Sequence, residues 1–327
     1  MHAAASNLLR LRNPKLCISL IMGLMLVFVA CNNDSDLEPD SSVNVNSNAT
    51  TVINGVTESP NATNLQQAAC RLEMPQLKGG DDNLFIVHTV PTYGINYSME
   101  YDRSLRAQRW AAYQWHAGNS GGSVGRSETW QEDPLIPSKY RTTLADHQSN
   151  GYDRGHMVGS ADRQMSVAAN EQTYYLSNMH PQLRGFNSRI NESHGYSIWY
   201  NLENRLRNSY NINNFRDTLY VVKGGTIDRG NYKMVKGRGN SLVCPNYFFM
   251  AILRKKNSDK TQGGYAAIGF WMEHKENTTK ISDTDFAKYA VSIERLETLT
   301  GIDFFCNLPD DIEKKVESNL VLSVWKL

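Results

Sequence analysis

The stretch Tyr152-Asp153-Arg154-Gly155-His156-Met157 sets an acid, a guanidinium, a glycine and an imidazole side by side between polar turn residues. Glycine has no Cβ, so Gly155 allows the backbone and a bulky substrate to approach closely. His156, with an unperturbed pKa of about 6.5, is suited to take a proton from water at neutral pH. A single loop histidine is more commonly a solvated surface residue. What lifts this one above that reading is the company it keeps downstream.

Tyr175-Leu176-Ser177-Asn178-Met179-His180-Pro181-Gln182-Leu183-Arg184-Gly185-Phe186-Asn187 comes next, and then Trp199-Tyr200-Asn201-Leu202-Glu203-Asn204-Arg205-Leu206-Arg207. At these residues the chain resembles the DNA/RNA non-specific endonucleases, the ββα-metal nucleases that include mitochondrial endonuclease G. The family's DRGH signature is intact at Asp153 to His156, its SNxxPQ segment at Ser177 to Gln182 and its metal-binding asparagine at Asn187. Its WxxxExxxR helix stands at Trp199, Glu203 and Arg207. A bare four-residue match is weak, whereas several ordered segments at the right spacing are a strong signal. Arg109 to Tyr113, the Arg-containing loop Arg126 to Pro134, Asn246 to Phe249 and Ile293 to Phe305 extend the resemblance over most of residues 80–317. An insertion between Asn187 and Trp199 carries Asn191, a rival amide.

The resemblance implies a single Mg²⁺, with Mn²⁺ as a substitute, held by the amide oxygen of Asn187. Magnesium dehydrates reluctantly, so one neutral protein oxygen with retained waters and substrate phosphate is an ordinary shell for it. By the same resemblance His156 is the general base, and Glu203 orders water near Asn187. The bland reading of Glu203 is an ion pair with Arg207, since residues four apart share a helix face. Arg154 and Arg126 are candidates for holding the scissile phosphate, because a guanidinium fork matches phosphate geometry. Asn178 resembles a family active-site amide that orients its neighbours, with a plain turn residue as the alternative. Asp153 is read as fixing its own loop or Arg154. Substrates would be DNA and RNA, cut to leave a 5′-phosphate and a 3′-hydroxyl. The resemblance leaves room for a homodimer, although no dimer surface is identifiable in the sequence.

Around this centre, strand-like runs lie at Leu84 to Val90, Arg109 to Gln114, Leu219 to Gly224, Val243 to Leu253 and Tyr265 to Trp271. Helices are expected at Ile198 to Asn208, with Ile198, Leu202 and Leu206 on one face, and from Asp283 to Leu299 behind a capping Ser/Asp start. Strands and helices interleave without regular alternation. The expected class is therefore α+β: a mostly antiparallel central sheet flanked by helices, carrying a ββα-metal catalytic motif.

The chain has 327 residues, 40% of them hydrophobic and 20% charged, which excludes a disordered, collagen-like or disulfide-scaffold protein. Residues 1–30 carry Arg10, Arg12, Lys15 and no acid, then run apolar from Cys17 to Ala30, too short to span a bilayer. They read as a signal peptide. The ending Val27-Phe28-Val29-Ala30-Cys31 resembles a bacterial lipoprotein cleavage box, which would make Cys31 the acylated first residue and lipid the anchor. The acidic stretch Asn32 to Asp40 suggests an outer-membrane lipoprotein facing outward, with periplasmic or secreted location as the alternative. Residues 31–69 read as a flexible polar tether and 70–327 as one endonuclease domain.

Three of the 34 Lys and Arg residues fall in the leader, leaving 31 against 33 acids, a mature net charge of −2. Arg103 to Arg254 nonetheless holds 19 bases and 11 acids, a local +8 that suits a polyanionic ligand. Cys70, Cys244 and Cys306 would allow one disulfide in any of three pairings. The leading function is a lipid-anchored, Mg²⁺-dependent endonuclease. The alternatives are a narrower phosphodiesterase or nuclease toxin, and a surface nucleic-acid-binding lipoprotein without catalysis.

Overall fold

A computed structural model describes residues 44, 46–191, 195–277 and 279–327. The leader and Cys31 lie outside the described residues. Ten of the fourteen strands among the described residues position the site: β1 (Gly55–Thr57), β2 (Asn83–Val90), β3 (Gly94–Asp102), β4 (Ala107–His116), β5 (Asp153–His156), β6 (Met179–Gln182), β7 (Thr218–Gly225), β8 (Tyr247–Lys255), β9 (Tyr265–Glu273) and β10 (Ala290–Val291). Eight make one sheet in the order β1-β2-β3-β4-β7-β8-β9-β10, while β5 and β6 pair as a separate ribbon. Every pairing in the large sheet is antiparallel except β1 with β2. This is the expected α+β arrangement.

Both faces of the sheet are covered, so its strands read as nearly continuous apolar runs. On one face Leu84, Ile86, Met99, Tyr113, Leu219, Val221 and Ile252 meet Ile198, Trp199, Leu202 and Leu206 of an overlying helix. On the other, Phe85, Val87, Trp110, Val222 and Leu253 meet Ile293, Leu296 and Val316. That alternation places the site helix and the closing helices on opposite sides.

Several expectations are corrected. The run Val243 to Leu253 is two strands: Ser241–Pro245 pairs with Tyr232–Lys236, and β8 begins only at Tyr247. Pro245 has no N–H to continue a ladder. The expected helix Asp283 to Leu299 is a 3₁₀ turn (Asp283–Lys288), then β10, then a helix confined to Ile293–Thr300. Ser292 caps it by accepting from the Arg295 N–H, and Gly301 ends it at φ 72°. Strand β3 went unread because its buried residues alternate polar and apolar: Asn96, Ser98 and Glu100 are as hidden as Tyr97, Met99 and Tyr101.

The tether is corrected too. Residues 46–69, assigned to it by composition, belong to the folded body. The Asn48 side chain is sealed in, donating to the carbonyls of Ala69 and Pro75 and accepting from the Leu77 N–H. Val56 and Thr57 add a strand to the sheet edge. The three disulfide pairings are also overturned: Cys244 and Cys306 are free, buried thiols, and Cys70 is disulfide-bonded to neither.

Candidate active site

Strands β5 and β6 form an antiparallel ribbon that pairs Asp153 with Gln182, Arg154 with Pro181, Gly155 with His180 and His156 with Met179. Two helices follow: α1 (Arg184–Asn187) and α2 (Ile198–Arg205), the latter running on into a wider turn at Leu206–Tyr210. Ser197 caps α2 by accepting from the Tyr200 N–H, and the buried stripe Ile198, Leu202, Leu206 clamps it to the sheet. Ribbon and α2 together make a ββα unit.

Gly155 is needed at its position, but not for a substrate. A Cβ there would lie 2.0 Å from Gln182 Oε1, so the side chain of its own partner strand fills the space. His156 projects into a cleft of about 600 Å³ whose lining includes Arg126, Arg154, Asn187, Glu203 and Arg207. Four of the expected site residues therefore join His156 around one cavity.

His156 is caged by aromatic rings, Trp130 at 5.4 Å and Tyr174 at 5.1 Å edge-on, and its Nε2 has no partner among the described residues. Burial, followed by the charge of Arg126, drives its pKa down to about 3, so the imidazole stands neutral and able to accept a proton. The Arg154 guanidinium lies 4.1 Å from the Trp130 ring centroid, a cation–π contact that fixes its direction. Arg126 is largely exposed, with a loose Glu128 contact at 3.4 Å and its guanidinium 5.8 Å from the Tyr174 ring centroid. Both cations are placed to receive an anion.

Asn187 ends α1. Its Nδ2 faces Asp153 Oδ2 at 3.4 Å and Ser188 Oγ at 3.1 Å, and Ser188 Oγ donates to the same Asp153 oxygen at 2.9 Å. With the amide nitrogen so engaged, Oδ1 is the atom available to a cation. Asp153 thus orients Asn187 rather than Arg154. The rival Asn191 has its backbone in a short ribbon, Arg189–Asn191 with Gly195–Tyr196, and its side chain is outside the described residues. A single amide oxygen with open cleft beside it fits a largely hydrated divalent ion.

Asn178 does not line the cleft, which corrects its placement among catalytic groups. It is fully buried, donating to the carbonyls of Val158 and Thr173 and accepting from the Val158 N–H. Its backbone carbonyl also accepts from the Met157 N–H, so it braces the chain immediately after His156. Its neighbour Ser177 donates to Asp133 Oδ2 at 2.6 Å, tying the same segment to the loop before the signature.

Glu203 pairs only loosely with Arg207, at 3.8 Å; its closer partner is Lys223 Nζ at 3.0 Å, rising from β7. Lys223 also contacts Asp162 Oδ2 at 3.0 Å, and Arg207 contacts Asp162 Oδ1 at 2.9 Å. Despite burial, these two cations hold the Asp162 carboxyl well below the usual carboxylate range. Sequence reading missed Asp162, Lys223, Trp130 and Tyr174. A signal existed for one: Lys223 interrupts the apolar run Leu219 to Val222, where an unpaired lysine would be costly.

A ββα unit presenting a neutral histidine, flanking arginines and an amide oxygen on one cleft defines a metal-dependent nuclease. The chain belongs to the DNA/RNA non-specific endonuclease family, whose model matches residues 84–311. It is 31% identical over 224 residues to Nuclease C1 of Cunninghamella echinulata var. echinulata, covering 65% of this chain and 81% of that one. It is 32% identical over 200 residues to the mitochondrial nuclease of Saccharomyces cerevisiae, covering 58% of this chain and 56% of the yeast protein. Human mitochondrial endonuclease G is 25% identical over 221 residues, 65% of this chain and 68% of its own. A crystal structure of the EndoG/EndoGI complex contains a chain with the same fold, at TM-score 0.55 and 23% identity, covering 71% of this chain and 89% of that one. The protein is an endonuclease.

Proposed function

We propose that this endonuclease hydrolyses both DNA and RNA in a Mg²⁺-dependent reaction with His156 as general base, leaving 5′-phosphate and 3′-hydroxyl ends. The observation that carries the reading is that a neutral His156 lines one cleft together with Asn187, Glu203, Arg126 and Arg154. A divalent ion at Asn187 Oδ1 would supply Lewis acidity to the phosphate and to the departing 3′ oxygen. Arg154, held by Trp130, and the exposed Arg126 bind the phosphodiester. Their charge is then partly neutralised by substrate, which raises the basicity of His156 at the moment it must take a proton from the attacking water. No base-reading element is required, because phosphate and charge suffice to bind either polymer.

The test is digestion of plasmid DNA and total RNA by purified protein, with Mg²⁺, with EDTA and with His156→Ala. Cleavage of both polymers that disappears in the latter two conditions is expected. Correctly folded protein inert with every divalent metal would sink the reading.

We further propose that Cys31 is acylated and anchors the enzyme to the outer membrane, facing outward. The cleavage box and acidic run support this. The mass of the mature N-terminal peptide decides whether Cys31 carries diacylglycerol. Protease shaving of intact cells reads the orientation.

A further inference from the structure

At the floor of the cleft, four charged side chains alternate in sign. Lys223 and Arg207 supply two cations, Asp162 and Glu203 two anions, and the set balances. Lys223 is entirely sealed from solvent, as is Asp162, while Glu203 retains 13% exposure toward the cleft. An ammonium so buried holds its charge only beside counter-charges. Its surroundings fix its direction as well: Nζ lies 5.6 Å from the Tyr113 ring and 5.9 Å from the Trp199 ring. Tyr113 in turn donates its hydroxyl to Asp162 Oδ2 at 2.7 Å. The lysine therefore stands on a rigid strand, wedged between aromatics, with one carboxylate behind it and Glu203 ahead of it.

We propose that Lys223 is a positioning residue for hydrolysis, locking the Glu203 carboxylate in one orientation at the cleft wall through its 3.0 Å contact with Oε1. This rests on the proposed reading, in which Glu203 orders water beside Asn187. A glutamate on a helix ordinarily samples several rotamers, and water ordering demands one. Arg207 comes from Glu203's own helical run and reaches it only at 3.8 Å. Lys223 comes from the central sheet, so it ties helix to sheet across the floor of the cleft. Removing it frees Glu203, which sits on a different element from His156 and Asn187.

The experiment compares wild type, K223M, K223R, E203Q and K223M/E203Q in steady-state cleavage of a short duplex with Mg²⁺, alongside thermal melts. K223M is expected to lower kcat about 10- to 100-fold, the usual cost of losing a supporting partner, with KM within about twofold. K223R, which still bridges two carboxylates, is expected to regain activity to within about fivefold of wild type. In the E203Q background K223M should cost less than about threefold, because its target is already lost. K223Q carries the same comparison should K223M not fold. Full activity in K223M, or losses that multiply in the double variant, would overturn the positioning role while leaving the nuclease reading intact. A wild-type protein that cuts neither polymer would remove both.

Discussion

The Gln182 side chain fills the space that a side chain at Gly155 would need: a Cβ on the glycine would sit 2.0 Å from Gln182 Oε1 and 2.2 Å from its Cδ. Gln182 is wholly buried, so it has nowhere to retreat. Gly155→Ala should cost about 1–3 kcal/mol of stability, typical of forcing atoms into a packed interior. Because the strain falls one residue from His156, cleavage should drop at least about tenfold even in the folded fraction. Chemical denaturation and initial rates on the same preparation check both. Unchanged rates would mean the ribbon relaxes without moving His156.

The acid side of the pH profile should be unusual. His156 is held down to about 3 by burial and then by Arg126, so its neutral, proton-accepting form persists as pH falls through 6.5 and is lost only near 3. The acid limb of kcat/KM, which reports the free enzyme, is expected below pH 5. The limb of kcat should lie higher, since bound phosphate offsets the arginine charge. An NMR titration of the His156 ring in free protein should be flat between pH 5 and 8. A midpoint near 6.5 would contradict the environment described.

Asn178 and Asn187 should fail in opposite ways. Asn178→Ala removes three buried hydrogen bonds and should destabilise by about 2–4 kcal/mol. Asn187→Ala sits at the cleft with long contacts, so its stability should stay within about 1 kcal/mol. Its apparent Mg²⁺ affinity should fall about 10- to 100-fold or more. Melting curves and metal titrations separate the two. Equal metal affinity in wild type and Asn187→Ala would remove Asn187 as the ligand.

Glu313 carries a pH-dependent liability remote from the cleft. Burial pushes its carboxyl up to about 8, although Asn46 donates to Oε1 at 3.1 Å. A raised carboxyl pKa gives stability that is whole below about 4.5 and drains away as pH climbs through 8. Glu313→Gln keeps the acceptor and removes the titration. The variant should therefore match wild type at pH 4 and melt about 3–6 °C higher at pH 9. A parallel pH response in both proteins would contradict this.

The parts of the site that were legible share one property: residue type and short spacing determine them. Asp153 to His156 lie on one short strand, and Glu203 and Arg207 on one helical run, so local sequence contains their geometry. Lys223 and Asp162 are 61 positions apart and meet only through sheet register and the way α2 lies over it. No spacing rule expresses that. The N-terminal segment failed for another reason. Asn, Ser and Thr are the residues of linkers, yet the same amides cap and bridge backbone when a fold surrounds them, as Asn48 does. Strand β3 hid because its polar face turns inward rather than to water.

The early start of the folded body would shorten the reach of a lipid-anchored enzyme. Asn44 already donates to the carbonyls of Cys306 and Leu308, so the chain is moored there and not at Cys70. If Cys31 carries lipid, the leash between bilayer and enzyme is 13 residues rather than 39. Fully extended, that is about 45 Å against about 135 Å. With such an anchor, Asn44 would stand no more than about 45 Å from the membrane surface, and cleavage would be confined to its neighbourhood.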